Sequence, residues 1–246
     1  MIETYYLGAY WKVRQEDAAA CAQRLAVLVG ELAPMDPLFA SWFKGSKSLK
    51  LSLQRPLDTE PALLTAYIQR KLMRDDLRKP MEELGFSFGL WNGRQGGNHA
   101  WLSIACGGYS EKLSNCCVLQ APDEGPGSER VMTASFQAQA LRALAIAWDP
   151  DWGVAMSHAH RDIIGAKRQD VLVGWVTYLS KRRGRVPLLP APARIELVED
   201  KGTLVTLTPE LFTASNPEHM ALAERVRELL DRAGLLTLKP GQNSPQ

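Results

Sequence analysis

The sequence lacks a run of about 18 uninterrupted apolar residues, which is the length that a membrane-spanning helix needs. It also lacks, after Met1, the basic stretch and apolar run that make up a secretory signal. Cysteine is scarce, with four residues in 246, and the spacing does not match the disulfide framework of a small secreted protein. We therefore expect a cytoplasmic protein with reduced, mostly buried cysteines and no contact with membranes.

A large excess of charge of one sign is also missing. The chain carries 29 Lys and Arg against 27 Asp and Glu, and each half of the chain carries a net charge of +1. Proteins that bind nucleic acids usually present a basic stripe, and proteins that mimic DNA are strongly acidic. The balanced charge argues against both classes, so no direct binding of nucleic acid is expected.

Hydrophobic periodicity predicts strands and helices that do not alternate strictly along the chain. Apolar patterns predict strands at residues 4–11, 86–91, 100–106, 116–120, 152–157, 172–179, 194–199 and 203–207. Apolar residues at helical spacing predict helices at about residues 16–33, 61–77, 134–148 and 217–233, with Asn216 capping the last helix. This order predicts an α+β fold, with a mainly antiparallel sheet flanked by about four helices.

The turn-rich stretch at residues 121–129 is the best internal breakpoint in the sequence. It is short, however, and it lies between predicted core elements. We therefore predict a single domain over residues 1–246, with a frayed tail at residues 238–246.

Histidine and cysteine offer two weak metal-binding patterns. His158 and His160 would place two imidazoles on one face of a strand, but no third ligand stands at a recognisable spacing. The cysteines at positions 106, 116 and 117 could bind zinc together with His99, yet the sequence contains no Cys-x-x-Cys pair, and core cysteines are common. The sequence therefore predicts no metal site and no cofactor site.

A nuclease pattern is the main alternative to a protein without catalytic residues. Asp151 and Glu199 could hold Mg²⁺, and Lys201 could steady the attacking water or the scissile phosphate. Lys201 immediately precedes Gly202 at a predicted hairpin turn, which favours a lysine that points into solvent. We therefore predict that the chain is not an enzyme and has no catalytic residue.

Basic and aromatic residues bear on partner binding. The densest basic cluster, at residues 181–185, is predicted to form a solvated loop or to contact an acidic partner surface. The seven tryptophans are expected to be mostly core residues, with one or two exposed as binding anchors. As partner-binding residues we select the short acidic cluster Glu82 and Glu83, together with Trp91 and Asn92.

Four segments resemble the immunity protein 52 family, namely residues 6–11, 85–93, 173–180 and 209–219. They run from the first strand to the last helix, so the resemblance covers nearly the whole chain. It implies a role in bacterial polymorphic toxin systems, with a cognate nuclease toxin of the restriction-endonuclease-like class as partner. Some toxins of this kind are delivered by type VI secretion, and the immunity protein is expected to bind its toxin in the cytoplasm of the producing cell.

Three hypotheses about function follow from the sequence. The first is an immunity protein that neutralises its toxin stoichiometrically by binding it. The second is a Mg²⁺-dependent nuclease that uses Asp151, Glu199 and Lys201. The third is an adaptor or chaperone that accompanies a secreted effector without inhibiting it.

Overall fold

A computed structural model of the chain describes residues 3–111, 113–122, 124–165 and 171–237. Nine strands form one sheet in the order β2-β3-β4-β5-β1-β6-β7-β9-β8, and every neighbouring pair is antiparallel. The strands are β1 (Tyr5–Trp11), β2 (Phe43–Lys44), β3 (Phe86–Trp91), β4 (Trp101–Cys106), β5 (Asn115–Gln120), β6 (Trp152–Ser157), β7 (Val176–Ser180), β8 (Arg194–Val198) and β9 (Gly202–Thr206). The predicted α+β class with a mainly antiparallel sheet is confirmed.

The described residues contain seven α-helices, so the prediction of about four was too low. The four longest are α1 (Ala18–Leu32), α3 (Pro61–Gln69), α5 (Ala134–Trp148) and α7 (Pro217–Arg232), and the short ones are α2 (Leu49–Leu53), α4 (Gly125–Val131) and α6 (His158–Ile163). Five to seven residues are too few to show a helical period, which explains why the sequence did not reveal the short helices. None of the described helices is both long and apolar enough to cross a membrane.

The sheet is buried on both faces around β1, β6 and β7, and on one face along β3, β4 and β5. Leu7, Ala9 and Trp11 of β1 are buried on the face where α5 packs, and Trp11 stacks on Trp148 of α5 with 5.2 Å between the ring centroids. On the opposite face of β6 and β7, Trp152, Val154, Thr177 and Leu179 are buried as well, and Val226 and Leu230 of α7 belong to the hydrophobic core. Among the described residues, no helix covers the face of β3, β4 and β5 that points away from this core, where Ser87 and Ser103 are exposed.

Two expectations about the boundaries of elements need correction. The second predicted helix ends at Gln69 and not near residue 77, and an irregular segment with isolated bridges at Leu72 and Arg74 follows it. The predicted loop at residues 121–129 contains the start of α4, which begins at Gly125. The predicted frayed tail at residues 238–246 lies outside the described residues.

The chain forms one sheet across its best internal breakpoint. Strand β1 pairs with β5, which precedes residues 121–129, and with β6, which follows them. We therefore propose that the chain is one cooperative domain. Thermal unfolding followed by far-UV circular dichroism and by tryptophan fluorescence should give coincident transitions. Limited proteolysis that released two stable halves, each folding separately, would contradict this proposal.

The last helix has the predicted cap. The Asn216 side chain accepts a hydrogen bond from the backbone N–H of Glu218 at 2.9 Å, and Pro217 occupies the first turn. Replacement Asn216→Ala removes this acceptor, and we expect the free energy of unfolding to fall by about 1 kcal/mol. Urea denaturation measures the change, and Asn216→Asp, which keeps an acceptor oxygen, is the control. An unchanged midpoint for Asn216→Ala would show that the cap does not stabilise α7.

Candidate partner interface

One tryptophan differs from the others in its accessibility. All seven lie in described parts of the chain, and six of them are at most 6% exposed, whereas Trp101 is 36% exposed. Tryptophan is enriched among the residues that contribute most to binding energy, because its large ring buries much apolar area with few rotatable bonds. Trp101 is therefore the tryptophan that a partner protein can reach.

Trp101 lies on the uncovered face of the sheet. Along β4, Leu102, Ile104 and Cys106 are buried, while Ser103 between them is exposed. The strand register brings Ser103 opposite Gly89 of β3 and Val118 of β5. We define the Trp101 face as the uncharged set Ser87, Gly89, Trp101, Ser103, Val118 and Gln120.

The orientation of the Trp101 ring depends on a glycine in the neighbouring strand. A Cβ atom at Gly89 would lie 2.6 Å from the ring, so a larger residue there would displace it. The indole Nε1 donates a hydrogen bond to Ser103 Oγ at 3.2 Å. The ring therefore rests on Gly89 with its polar atom satisfied, and it presents an apolar surface among small side chains.

Two of the predicted partner residues, Trp91 and Asn92, lie at the end of the β3–β4 hairpin, where Trp91 is the cross-strand neighbour of Trp101. Trp91 is buried, and its ring centroid lies 6.4 Å from that of Phe43. Asn92 is also buried: its amide donates to the carbonyls of Leu38 and Asn98, and its Oδ1 accepts the N–H of Ala100 at 2.9 Å. Trp91 and Asn92 thus shape the hairpin end and offer a partner little surface.

Glu82 and Glu83 lie at the other end of β3. They belong to a short 3-10 helix, Glu82–Leu84, where Glu82 is exposed and Glu83 is half-buried. The six residues of β3 separate these carboxylates from Trp91 by roughly 20 Å. The four selected residues therefore do not form one cluster, and partner binding by Glu82 and Glu83 stays a prediction.

The three residues of the nuclease hypothesis lie in a structural contact and in a turn. Asp151 Oδ2 accepts the backbone N–H of Lys12 at 2.9 Å, and Oδ1 lies 3.4 Å from Arg182 Nη2. Glu199 and Lys201 lie in the turn between β8 and β9, as predicted for Lys201, and Glu199 has a φ angle of 46°. Among the residues that the structure describes, no three His, Cys, Asp or Glu side chains are grouped closely enough to hold a metal ion.

The basic cluster is mostly exposed, as predicted, but two of its arginines are held by contacts with distant parts of the chain. Arg182 pairs with Asp149 at 3.0 Å, and Arg183 donates to the carbonyls of Asp151 and Leu235. Burial lowers the pKa of Arg183. These contacts join the start of β6 to the chain that follows α7.

The two neighbouring histidines open α6 and do not lie on a strand. The Ser157 hydroxyl caps this helix by accepting the N–H of His160 at 3.1 Å. His160 is buried and stacks on Phe212, with 5.1 Å between the ring centroids, and His219 stacks on Phe212 at the same distance. The imidazole of His160 is therefore part of the core packing.

The cysteines form no disulfide and lie in or near the core. Cys117 is buried and Cys116 is half-buried, because neighbouring residues of β5 point to opposite faces of the sheet. A hydrogen bond with Cys21 and burial raise the pKa of Cys106, and burial raises the pKa of Cys117. These shifts favour the protonated thiol, whereas zinc binds the thiolate.

Comparison with known proteins identifies the family. The model of the family described as immunity protein 52 matches residues 3–239. The chain belongs to the immunity protein 52 family. No curated protein matches this member of the family. Its fold is similar to the solved structure of the Pseudomonas aeruginosa T6SS protein PA0821, with a TM-score of 0.54 and 12% identity over 94% of this chain and 75% of the other.

Membership in the immunity protein 52 family implies a toxin as partner.

The sequence also contains a pattern that indicates the exposure of Trp101, although Trp101 was not among the predicted partner-binding residues. In residues 100–106, Trp101 alternates with apolar residues and shares its parity with Ser103, which places one large ring on a face of small polar residues. The glycine beneath it could not be recognised, because the pairing of Gly89 with Ser103 is a property of the register between strands.

Burial of His160 predicts an effect of pH on stability. Burial lowers its pKa below the ordinary value of about 6.5, and the charge of Glu3 opposes this in part. Protonation of His160 is therefore less favourable in the folded state than in the unfolded state. The contribution of neutral His160 to the free energy of unfolding is fully present above about pH 6.5 and is lost as the pH falls through the pKa of the folded state. We expect His160→Phe to reduce the loss of stability between about pH 7 and pH 5.

Urea denaturation of both proteins across this pH range measures the effect. A comparison at about pH 8, where His160 is neutral in both states, separates the change in packing from the change in titration. An equally steep loss of stability in His160→Phe would show that other groups cause it.

Proposed function

We propose that this member of the immunity protein 52 family binds a cognate nuclease toxin with a restriction-endonuclease-like domain and neutralises it in the cytoplasm of the producing bacterium. The family match over residues 3–239 carries the proposal. The structurally similar PA0821 is a T6SS protein, which is consistent with delivery of that toxin by type VI secretion. The immunity protein neutralises the toxin by forming a one-to-one complex with it, without turnover.

We further propose that the Trp101 face forms the centre of the interface. An exposed tryptophan among small residues can insert into an apolar pocket of a partner, while Ser87, Ser103 and Gln120 can form hydrogen bonds around it. The face carries no charge, whereas a protein that fills a DNA-binding cleft by mimicry needs a dense acidic surface. The arrangement therefore favours an apolar contact with the toxin over imitation of its substrate.

The size of the Trp101 face sets a requirement for the rest of the interface. Three strands spaced about 4.8 Å apart and six residues long span roughly 300 Å² of flat sheet. A stable complex buries about 800 Å² on each partner. Neighbouring elements must therefore contribute to binding as well.

Titration of toxin activity tests the function and the role of Trp101 together. The probe is the purified nuclease domain encoded beside this gene, assayed on plasmid DNA with Mg²⁺. We expect activity to fall linearly and to vanish at one equivalent of the immunity protein. Replacement Trp101→Ala should weaken binding by about 30-fold or more, because it removes the central anchor.

Leu188→Ala is the matched control, because Leu188 is an exposed apolar residue on a distant loop, and it should bind like the wild type. Inactivation of many toxin molecules by one immunity protein would show catalysis and contradict the proposal. A complex in which the toxin stays active would instead identify an adaptor. Equal affinities of Trp101→Ala and Leu188→Ala would remove the Trp101 face from the interface.

A further inference from the structure

The balanced charge of the two halves conceals a local segregation. Residues 44–79 carry nine Lys and Arg against four Asp and Glu, which leaves 20 against 23 in the remainder of the chain. This segment contains β2, α2 and α3, at the edge of the sheet where β2 pairs with β3. One edge of the protein is therefore basic, although the whole protein is nearly neutral.

The cations of this segment are not neutralised within the described residues. The ion pairs found there involve other parts of the chain, and none includes a residue between 44 and 79. Two acidic side chains of the segment accept hydrogen bonds from backbone N–H groups instead: Asp58 accepts the N–H of Glu60, and Glu60 caps α3. The positive charge is thus left available to a partner.

Two of these cations lie over one aromatic ring, and a third is in their neighbourhood. Lys44 Nζ lies 5.1 Å and Lys71 Nζ lies 5.3 Å from the ring centroid of Tyr67. Arg55 is next to Lys44, since its carbonyl accepts the Lys44 N–H at 2.9 Å, and its charge acts on the Tyr67 hydroxyl. Several positive charges in one region attract a carboxylate more strongly than a single charge does.

The short helix α2, which lies next to this cluster in the sequence, exposes its apolar residues and buries a polar one. Helix α2 exposes 55%, 47% and 42% of Leu49, Leu51 and Leu53, whereas the residue that it buries is Ser52. Lys47 and Lys50 are exposed around these leucines. A surface helix normally buries its apolar residues against the protein that carries it, so exposed leucines mark a contact with another molecule.

We propose that this surface, the α2 edge, docks onto an acidic surface of the toxin that also has an apolar pocket. We define the α2 edge as Lys44, Lys47, Leu49, Lys50, Leu51, Leu53, Arg55 and Lys71. The inference rests on the proposed function, and it adds the chemistry of the partner surface. A nucleic acid would account for the cations alone, whereas a protein accounts for the cations and the leucines together.

The α2 edge is continuous with the Trp101 face. A Cβ atom at Gly45, directly after β2, would lie 3.8 Å from the Trp101 ring, and α2 begins four residues later. The two surfaces together supply the area that the Trp101 face lacks. The basic edge would be repelled by a basic DNA-binding cleft, so the complex forms on a toxin surface outside that cleft and blocks the toxin from there.

The test compares two variants with matched controls. In Lys47→Glu/Lys50→Glu two of the five positive charges of the α2 edge are reversed, and in Leu51→Ser an apolar contact is removed. The control variants are Arg185→Glu/Arg225→Glu, which reverse two exposed positive charges elsewhere, and Leu188→Ser, which changes an exposed leucine elsewhere. Glutamate near the start of α2 favours the helix dipole, so loss of the helix would not explain weaker binding.

Dissociation constants for the toxin nuclease domain are measured between about 0.05 M and 0.5 M salt. We expect Lys47→Glu/Lys50→Glu to weaken binding by about tenfold or more at low salt and to flatten the dependence on salt. Leu51→Ser should weaken binding while the dependence on salt is kept. Both controls should bind like the wild type.

The outcomes separate this inference from the proposed function. If the wild type does not bind the toxin domain, the proposed function fails. If the wild type binds and Trp101→Ala weakens binding, but both α2 variants bind like their controls, only the inference about the α2 edge fails. Binding of duplex DNA or anionic vesicles that is lost in Lys47→Glu/Lys50→Glu, with toxin binding unchanged, would overturn it in favour of a polyanion.

Discussion

A nine-stranded sheet has two faces, and each must be buried by the chain or made compatible with water. Strands β1, β6 and β7 meet this constraint by burial on both sides, which is why nearly every residue of β1 and β6 is buried. Strands β3, β4 and β5 meet it by alternation, with buried residues under the helices and small polar residues opposite. The uncovered face, and with it the accessibility of Trp101, results from this division of the sheet.

Local pattern predicted eight of the nine strands and the four longest helices, because each shows its own period over enough residues; β2 has two residues and was missed. It failed where the outcome depends on distant parts of the chain. Arg182 and Arg183 are charged and lie among prolines, yet their partners are Asp149, Asp151 and Leu235, which no local pattern connects to them. Trp91 and Trp101 both follow a strand pattern, and only the packing of Phe43 against Trp91 makes one buried and the other accessible.

The distribution of charge also depends on contacts between distant residues. Each half of the chain is nearly neutral, which argues against a uniformly basic or acidic surface. The net charge of a half could not show that the basic residues of 44–79 are left without carboxylate partners, since that depends on where the acidic side chains are used. The leucines of α2 were equally hard to predict, because a five-residue helix has no apolar stripe from which its orientation could be inferred.

The contacts of Arg183 have a practical consequence for labelling. They hold Leu235 and Thr237 beside the start of β6, whereas Trp101 starts β4 at the opposite end of the strands. Four strand spacings lie between β4 and β7, so the two positions are on the order of 25 Å apart. A fluorophore or surface anchor attached at Thr237 would therefore lie away from the Trp101 face and leave that face accessible to a partner.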